Sequence, residues 1–492
     1  MIAGFTNAWK LPNLRERILF TLGMIILLRL GVYITLPGID SSVIDAWIES
    51  RKSAESSGNP LGDVSAMLNI FSGGGLQQCG IFALGIMPYI SASILMQLMT
   101  AIVPQFSKLS REDGGRAKIN QYTRLATIII AIVQGTMLAI GFLNPQNLFY
   151  LEGIQNFGPL VLVPGTMFIV STVIIIVAAT MLLMWIGDQM TDRGIGNGTS
   201  LIITINIIAA LPGAMWQSWR HFTDGGNTFG AFTLVLLIVF LLLVIAAVIT
   251  LTQATRRIAI QHANRVVGRK MYGGQTHYLP LKLNYSGVMP IIFASALMTL
   301  PVFGLNLIFK GQDWVLTVQE ALSPASSWYY VVAGIFIFIF SYFWISMMFQ
   351  PQQISEDLKK SGGYIPGVRP GQPTAVFLEK VMNRLTFAGS IFLILVFILP
   401  GIVRWATSLP PMAAQFFGGT SLLILVGVIL DVTKQIETHL LEQNYEGFSA
   451  KTRGKVNRYQ VEGKKKASNT IVYLWVFIAV LLLIFITSQF TG

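Results

Sequence analysis

The stretch from Leu61 to Met99 constrains this chain more than any other. It opens with a short, mildly amphipathic run, Leu61–Phe71, passes through Ser72-Gly73-Gly74-Gly75, and continues into a long apolar run, IFALGIMPYISASILMQLM, over Ile81–Met99. A lipid-facing helix cannot carry three consecutive glycines and two backbone breaks, because each unpaired N–H or C=O in hydrocarbon costs several kcal/mol. Such a segment is tolerated where it lines a water-filled cavity. The expectation is a chain that encloses a path through the membrane, with a movable half-helix in that path.

Composition agrees. Of 492 residues, 53% are hydrophobic and 11% charged, and the mean hydropathy is +0.64. These values belong to a polytopic α-helical membrane protein. Met1–Arg17 is short and basic, and the run beginning at Ile18 is too long for the apolar core of a signal peptide and has no small-residue cleavage site. The single cysteine, Cys79, leaves no internal disulfide and no cysteine-based metal site, and reads as a small packing residue.

Eleven spans are expected, near Ile18–Leu36, Gln78–Val103, Tyr122–Phe142, Leu162–Ile186, Thr199–Leu211, Gly230–Ala254, Ser286–Phe309, Trp328–Phe349, Leu385–Val403, Ala413–Leu430 and Thr470–Gln489. Most reach the roughly 17 to 25 apolar residues a crossing needs; the fifth is short. Of the 34 Lys and Arg, 28 fall in alternate loops on the side of the N-terminus. The other side holds Arg51, Lys52, Arg220, Lys310 and Arg404, and Arg29 lies within the first span. The positive-inside rule then places the N-terminus in the cytoplasm. The net charge of +12 is thus largely topological, and no DNA partner is expected.

Ten spans divide into two groups of five about the polar loop Pro212–Asn227. Five is odd, so the halves run in opposite directions, an inverted pair with its functional site near the midplane between them. The fold class expected is all-α and polytopic: two inverted five-helix halves around a central pore, plus an extra C-terminal helix. Residues 1–212 form the N-terminal half and 213–445 the C-terminal half. Residues 446–492 supply a charged linker and the last span.

Several chemistries are missing. Arg29 is the only charge clearly inside a span, and Asp188 and Asp431 sit at cytoplasmic ends, whereas proton- or ion-coupled carriers place carboxylates or paired charges at depth. No GxxxxGK[ST] phosphate loop occurs, and His221, His262, His277 and His439 share no metal-binding spacing. No catalytic residue, metal or cofactor is expected.

The motifs themselves carry a family resemblance. FALGIMPYISASILMQL (Phe82–Leu98) closely resembles the second transmembrane helix of the SecY family, the channel subunits of the bacterial protein translocase. Asn69–Gly74, GRAKINQYTR (Gly115–Arg124), DRGIGNGTSL (Asp192–Leu201), LPLKLNYSGVMPIIFAS (Leu279–Ser295), LKKSGGYIPGVRPG (Leu358–Gly371) and GGTSLLI (Gly418–Ile424) follow in the family's order.

The resemblance implies roles. Leu61–Phe71, through Leu61, Val64, Met67, Leu68, Ile70 and Phe71, would be a plug, with Gly73, Gly74 and Gly75 as its hinge. Ile86, Ile90, Ile203, Ile292 and Ile424 would form an apolar ring at the constriction. Branched aliphatic side chains make a conformable gasket and hold back ions by dewetting when closed. From periodicity alone, each isoleucine is equally well an ordinary packing residue. Ser91 and Gln97, with Asn284 and Pro290, would line a lateral gate, where small and polar residues permit weak contacts of about 0.6 to 2 kcal/mol. Arg256, Arg257, Arg265, Arg269 and Lys270 in the loop 255–285, and Arg369 in the loop 350–384, would dock the SecA motor and the ribosome.

The implied activity is translocation of unfolded secretory polypeptides across the bacterial inner membrane, with sideways release of transmembrane segments into the bilayer. Implied partners are SecE and SecG, SecA, the ribosome, signal peptides, precursor chains and membrane lipids. A specialised accessory channel with few substrates is the alternative. The span Thr470–Gln489, behind Lys464-Lys465-Lys466, departs from the family's ten spans and would put the C-terminus outside.

Overall fold

The structure, a computed structural model, describes residues 12–53, 72–112, 114–145, 151, 153–223, 230–262, 265–267, 270–272, 276–295, 297–298, 314, 317–318, 321–322, 326–407 and 409–451. Leu61, Val64, Met67, Leu68, Ile70 and Phe71, expected as a plug, Arg269, expected to dock partners, and the expected span Thr470–Gln489 lie outside the described residues.

The chain forms two compact units. The larger covers residues 20–431; the smaller combines 1–19 with 432–492, and its described residues are helical. The helices are α1 (Pro12–Tyr33), α2 (Ser41–Ser53), α3 (Met87–Ile102), α4 (Pro104–Arg111), α5 (Gly115–Leu143), α6 (Thr166–Arg193), α7 (Gly198–Thr223), α8 (Gly230–Gln253), α9 (Ser327–Met348), α10 (Pro351–Lys360), α11 (Gln372–Thr407) and α12 (Gly419–Lys451). Among the described residues seven helices are long and apolar enough to cross a membrane by themselves. The chain is a multi-pass membrane protein.

Where the helices begin and end follows from local chemistry. Val103 is extended, as a residue before proline must be, and Pro104 starts the next helix. α3 and α4 therefore meet at 102°, and the amphipathic sequence PQFSKLSR turns away from the apolar span. The fifth span is longer than the sequence suggested. α7 continues through Pro212 to Thr223, so most of the polar loop expected at Pro212–Asn227 is helix. Proline inside a membrane helix is tolerated because neighbouring groups satisfy the carbonyl it frees. α11 likewise passes Pro400 and extends 13 residues ahead of the expected Leu385.

Several buried hydroxyls are satisfied within their own helices. Thr127 donates to the Thr123 carbonyl at 2.8 Å, Thr180 to Ile176 at 2.9 Å, Ser341 to Ile337 at 2.7 Å and Thr386 to Met382 at 2.7 Å. This bond to the preceding turn lets a polar side chain sit in an apolar interior. One apolar core gathers Leu36, Trp47, Leu138, Phe142, Ile154 and Ile176. A second gathers Val248, Ile291, Ile337, Leu393, Leu423 and Val426. α8 is the most lipid-like helix: its apolar window, Leu234–Gln253, is only 17% buried.

One element was not foreseen. The stretch Thr255–Lys282 is a β-hairpin in which β1 (Thr255–His262) pairs antiparallel with β4 (Thr276–Lys282), from Thr255 opposite Lys282 to Gln261 opposite Thr276. β5 (Gly363–Tyr364) adds to the other edge of β1 and completes a three-stranded sheet. β2 (Arg265–Val267) and β3 (Lys270–Tyr272) pair separately beyond β1.

Candidate functional site

The broken span is built as an irregular but satisfied segment. Turns carry the chain from Gly73 to Ile86, and α3 begins only at Met87, with Pro88 in its first turn. The span expected from Gln78 thus becomes helical only nine residues later. Proline fits the first turn because its missing N–H has no helical partner there.

The segment's polar groups find partners on the strand-like exit of α1. Leu36 N donates to the Cys79 carbonyl at 3.0 Å, and Ile81 N donates to the Ile34 carbonyl at 2.9 Å. Leu76 N donates to Ser72 Oγ at 3.2 Å. At Gly80, an added Cβ would stand 2.5 Å from the Val32 carbonyl oxygen, so only glycine allows this approach. The sequence argument looked to a water-filled cavity to tolerate such backbone. Protein groups satisfy much of it instead.

The glycine hinge is clamped. Gly73 and Gly74 have φ of +66° and +95°, a region where a side chain costs about 1–2 kcal/mol. Arg29 Nη1 donates to the Gly73 carbonyl at 2.9 Å, and the guanidinium lies 5.6 Å over the Tyr33 ring. From α7, the buried Asn206 brings Oδ1 to 2.5 Å from where a Cβ on Gly73 would stand. The one charge inside a span therefore meets the hinge of the broken span. Its isolation in the sequence was the available signal.

The five isoleucines expected to form a ring come from separate parts of the chain. Ile86 is the residue before α3 and Ile90 lies in its first turn; Ile203 is on α7, Ile292 among the helical residues 289–295, and Ile424 on α12. Ile86, Ile203 and Ile424 are buried; Ile90 and Ile292 are half-buried.

Of the residues expected at a lateral gate, Ser91 and Gln97 are half-buried on α3, and Gln97 Nε2 donates to Ser93 Oγ at 3.3 Å. Gln97 Oε1 is buried with no hydrogen-bond partner among the described residues. Asn284 and Ser286 are bonded to each other, Ser286 Oγ donating to Asn284 Oδ1 at 3.1 Å. Asn284 Nδ2 donates to the Gly287 carbonyl at 3.0 Å, bracing the turn before Pro290, which is buried at the start of the 289–295 helix.

The two basic loops are joined. Through β4–β1–β5, the loop carrying Arg256 and Arg257 shares a sheet with the loop carrying Arg369. Ile258 and Leu281 are buried against Ile345, Phe349, Ile365 and Leu378, while Arg256, Arg257 and Arg369 are exposed. Arg265 and Lys270 begin β2 and β3. The Arg369 loop is shaped by Gly367 and Gly371, at φ +83° and +102°. Thr374 Oγ1 donates to the Arg369 carbonyl at 2.8 Å, and Ser355 Oγ donates to the Gly371 carbonyl. An arginine on a braced loop can offer a planar, bidentate donor set to carboxylate or phosphate.

The sequence that builds these elements matches a known family. The SecY family profile covers residues 80–433. The chain belongs to the SecY family. It is 43% identical over 453 residues to the protein translocase subunit SecY of Synechocystis, covering 90% of this chain and 96% of that one. Against the Aquifex aeolicus protein translocase subunit SecY the figures are 39% over 445 residues, 89% and 97%.

Solved structures give the same fold. One described as a protein-conducting channel has a TM-score of 0.55 at 17% identity, covering 86% of this chain and 92% of that one. Sec61 in a canine ribosome–channel complex has a TM-score of 0.52 at 16% identity, with the same coverage. As a member of this family the chain is a protein-conducting channel, and the SecY family is one of translocation channels rather than classical enzymes.

Proposed function

We propose that unfolded polypeptides cross the bacterial inner membrane through the midplane of this chain, between an N-terminal half of residues 1–212 and a C-terminal half of 213–445. Ile86, Ile90, Ile203, Ile292 and Ile424 seal around the passing chain, and Leu61–Phe71 closes the path at rest. Hydrophobic segments leave sideways between the Ser91/Gln97 face of α3 and the Asn284–Pro290 turn. The observation that carries this reading is the irregular segment Gly73–Ile86 leading into the apolar helix α3, tied at its hinge to Arg29. A segment with that many turns is an element that can be displaced, unlike a continuous helix.

SecE and SecG are the proposed membrane partners, and α8, the least buried of the apolar helices, has the face such a helix needs. SecA and the ribosome are proposed to engage the β4–β1–β5 platform. Its exposed Arg256, Arg257 and Arg369 suit acidic side chains and RNA phosphate. The N-terminus is cytoplasmic and the C-terminus, after Thr470–Gln489, outside. Homology over about nine-tenths of this chain, and nearly the whole length of protein translocase subunits SecY, favours this over a specialised accessory channel.

The gate is tested with Ser91→Cys and Asn284→Cys in a Cys79→Ala background. Bridging the pair with a reducible bifunctional reagent should stop both secretion and membrane insertion, and reduction should restore them. Unimpeded transport through a fully bridged pair would refute the gate.

A further inference from the structure

A groove of about 520 Å³ runs between α9 and α11, away from the hinge, the ring and the gate. Its α11 wall is a single stripe at helical spacing, with Lys380, Arg384 and Phe387 in succession, and Tyr342 on α9 faces it. The stripe crosses the edge of the apolar run. Arg384 is the last charge before Leu385 opens that run, Lys380 stands about 6 Å further out, and Phe387 lies within it.

The groove is polar at one end and apolar at the other. Lys380 and Arg384 are exposed, and neither forms an ion pair among the described residues. Glu379 also lines the groove and leaves a net charge of +1 there. Phe387 is 52% exposed, and Phe338 meets its ring edge-on at 6.1 Å. Phe338 also lies 5.1 Å from the Tyr342 ring, so an aromatic wall continues along α9. The Tyr342 hydroxyl sits at the level of the cations, 3.5 Å from the Asn383 carbonyl.

We propose that this groove binds an anionic phospholipid, its headgroup phosphate on Lys380 and Arg384 and an acyl chain along Phe387 and Phe338. Charge complementarity selects the headgroup, since lysine and arginine at a membrane surface attract anionic lipid. Phe387 lies within the apolar run, at the level of acyl chains rather than of solvent, and this position separates a lipid from RNA or a free anion. Long cationic side chains reach outward along the helix while their stems rest on apolar surface, which lets both cations meet one phosphate.

The test uses the full chain, purified in detergent with the subunits that accompany it, and a photoactivatable phosphatidylglycerol. Adducts are expected on the α9 and α11 peptides, displaced by unlabelled phosphatidylglycerol and not by phosphatidylcholine. Lys380→Gln with Arg384→Gln should cut this labelling roughly 30-fold, two surface cations' worth, with thermal unfolding unchanged. Lys380→Arg should retain it. Equal displacement by phosphatidylcholine, or undiminished labelling of the double variant, would overturn the proposal. Displacement by inorganic phosphate would reassign the groove to free anions, and displacement by an RNA oligonucleotide to RNA; either also overturns it.

Discussion

Replacing Gly73 by alanine should loosen the closed hinge, and the size of the effect can be worked from its surroundings. A side chain at φ +66° costs about 1–2 kcal/mol. The new Cβ would lie 2.5 Å from Asn206 Oδ1 and 3.0 Å from Arg29 Nη1, so the guanidinium must retreat from the Gly73 carbonyl. A hydrogen bond to a charged group contributes about 1.5–3 kcal/mol. Together these destabilise the hinge by about 3 kcal/mol, roughly a 10²-fold shift toward its displaced form. Gly74 supplies the control. Its φ is +95°, and a Cβ there meets nothing within 4 Å, so Gly74→Ala carries the backbone cost alone. Ion conductance of the resting channel in planar bilayers reads the difference. Gly73→Ala should leak well above Gly74→Ala, and in an Arg29→Met background the gap should narrow to what the Asn206 contact alone accounts for. Equal leaks from the two alanine variants with Arg29 present would refute the clamp.

Other perturbations have equally definite outcomes. Arg369→Glu should reduce SecA-dependent secretion about 10-fold or more, as charge reversal at a docking site does, while sparing insertion of membrane proteins; equal loss of both would count against docking. Thr374→Val removes the hydroxyl that holds the Arg369 carbonyl at about 1 kcal/mol, so SecA affinity in a binding titration should fall roughly 5-fold while chain abundance stays constant. Leu281→Ala empties a buried position in the core under the sheet and should cost about 2–5 kcal/mol, read as earlier proteolysis of the β1–β4 hairpin. Ile86→Gly, Ile90→Gly and Ile292→Gly combined should raise closed-state conductance; an unchanged value would undo the gasket.

The parts of the fold legible in sequence were those written in apolar length. α8 and α9 match the expected spans to within a residue or two, because uninterrupted apolar runs have only one stable form in hydrocarbon. α7 was read too short because Pro212 looks like a terminator in sequence, whereas its neighbours in the fold let the helix pass. The sheet was missed although Ile258 and Ile260 alternate with more exposed residues in the period of a strand. Six cations in that loop drew attention to charge, and its pairing with Gly363–Tyr364 joins residues about a hundred positions apart, which no local pattern encodes. The hinge glycines were legible as a break. Their partner was not: Arg29 is 44 residues away, and only the return of the chain against α1 brings the two together.

The account rests on a polypeptide passing through the middle of this chain. A photoreactive amino acid at Ile292, with a secretory precursor stalled in transit, tests that directly, and Leu243, 62% exposed on α8, is the lipid-facing control. Strong adducts from Ile292 and none from Leu243 are the result expected. An export-competent preparation in which Ile292 gives no more adducts than Leu243 would contradict the conduit.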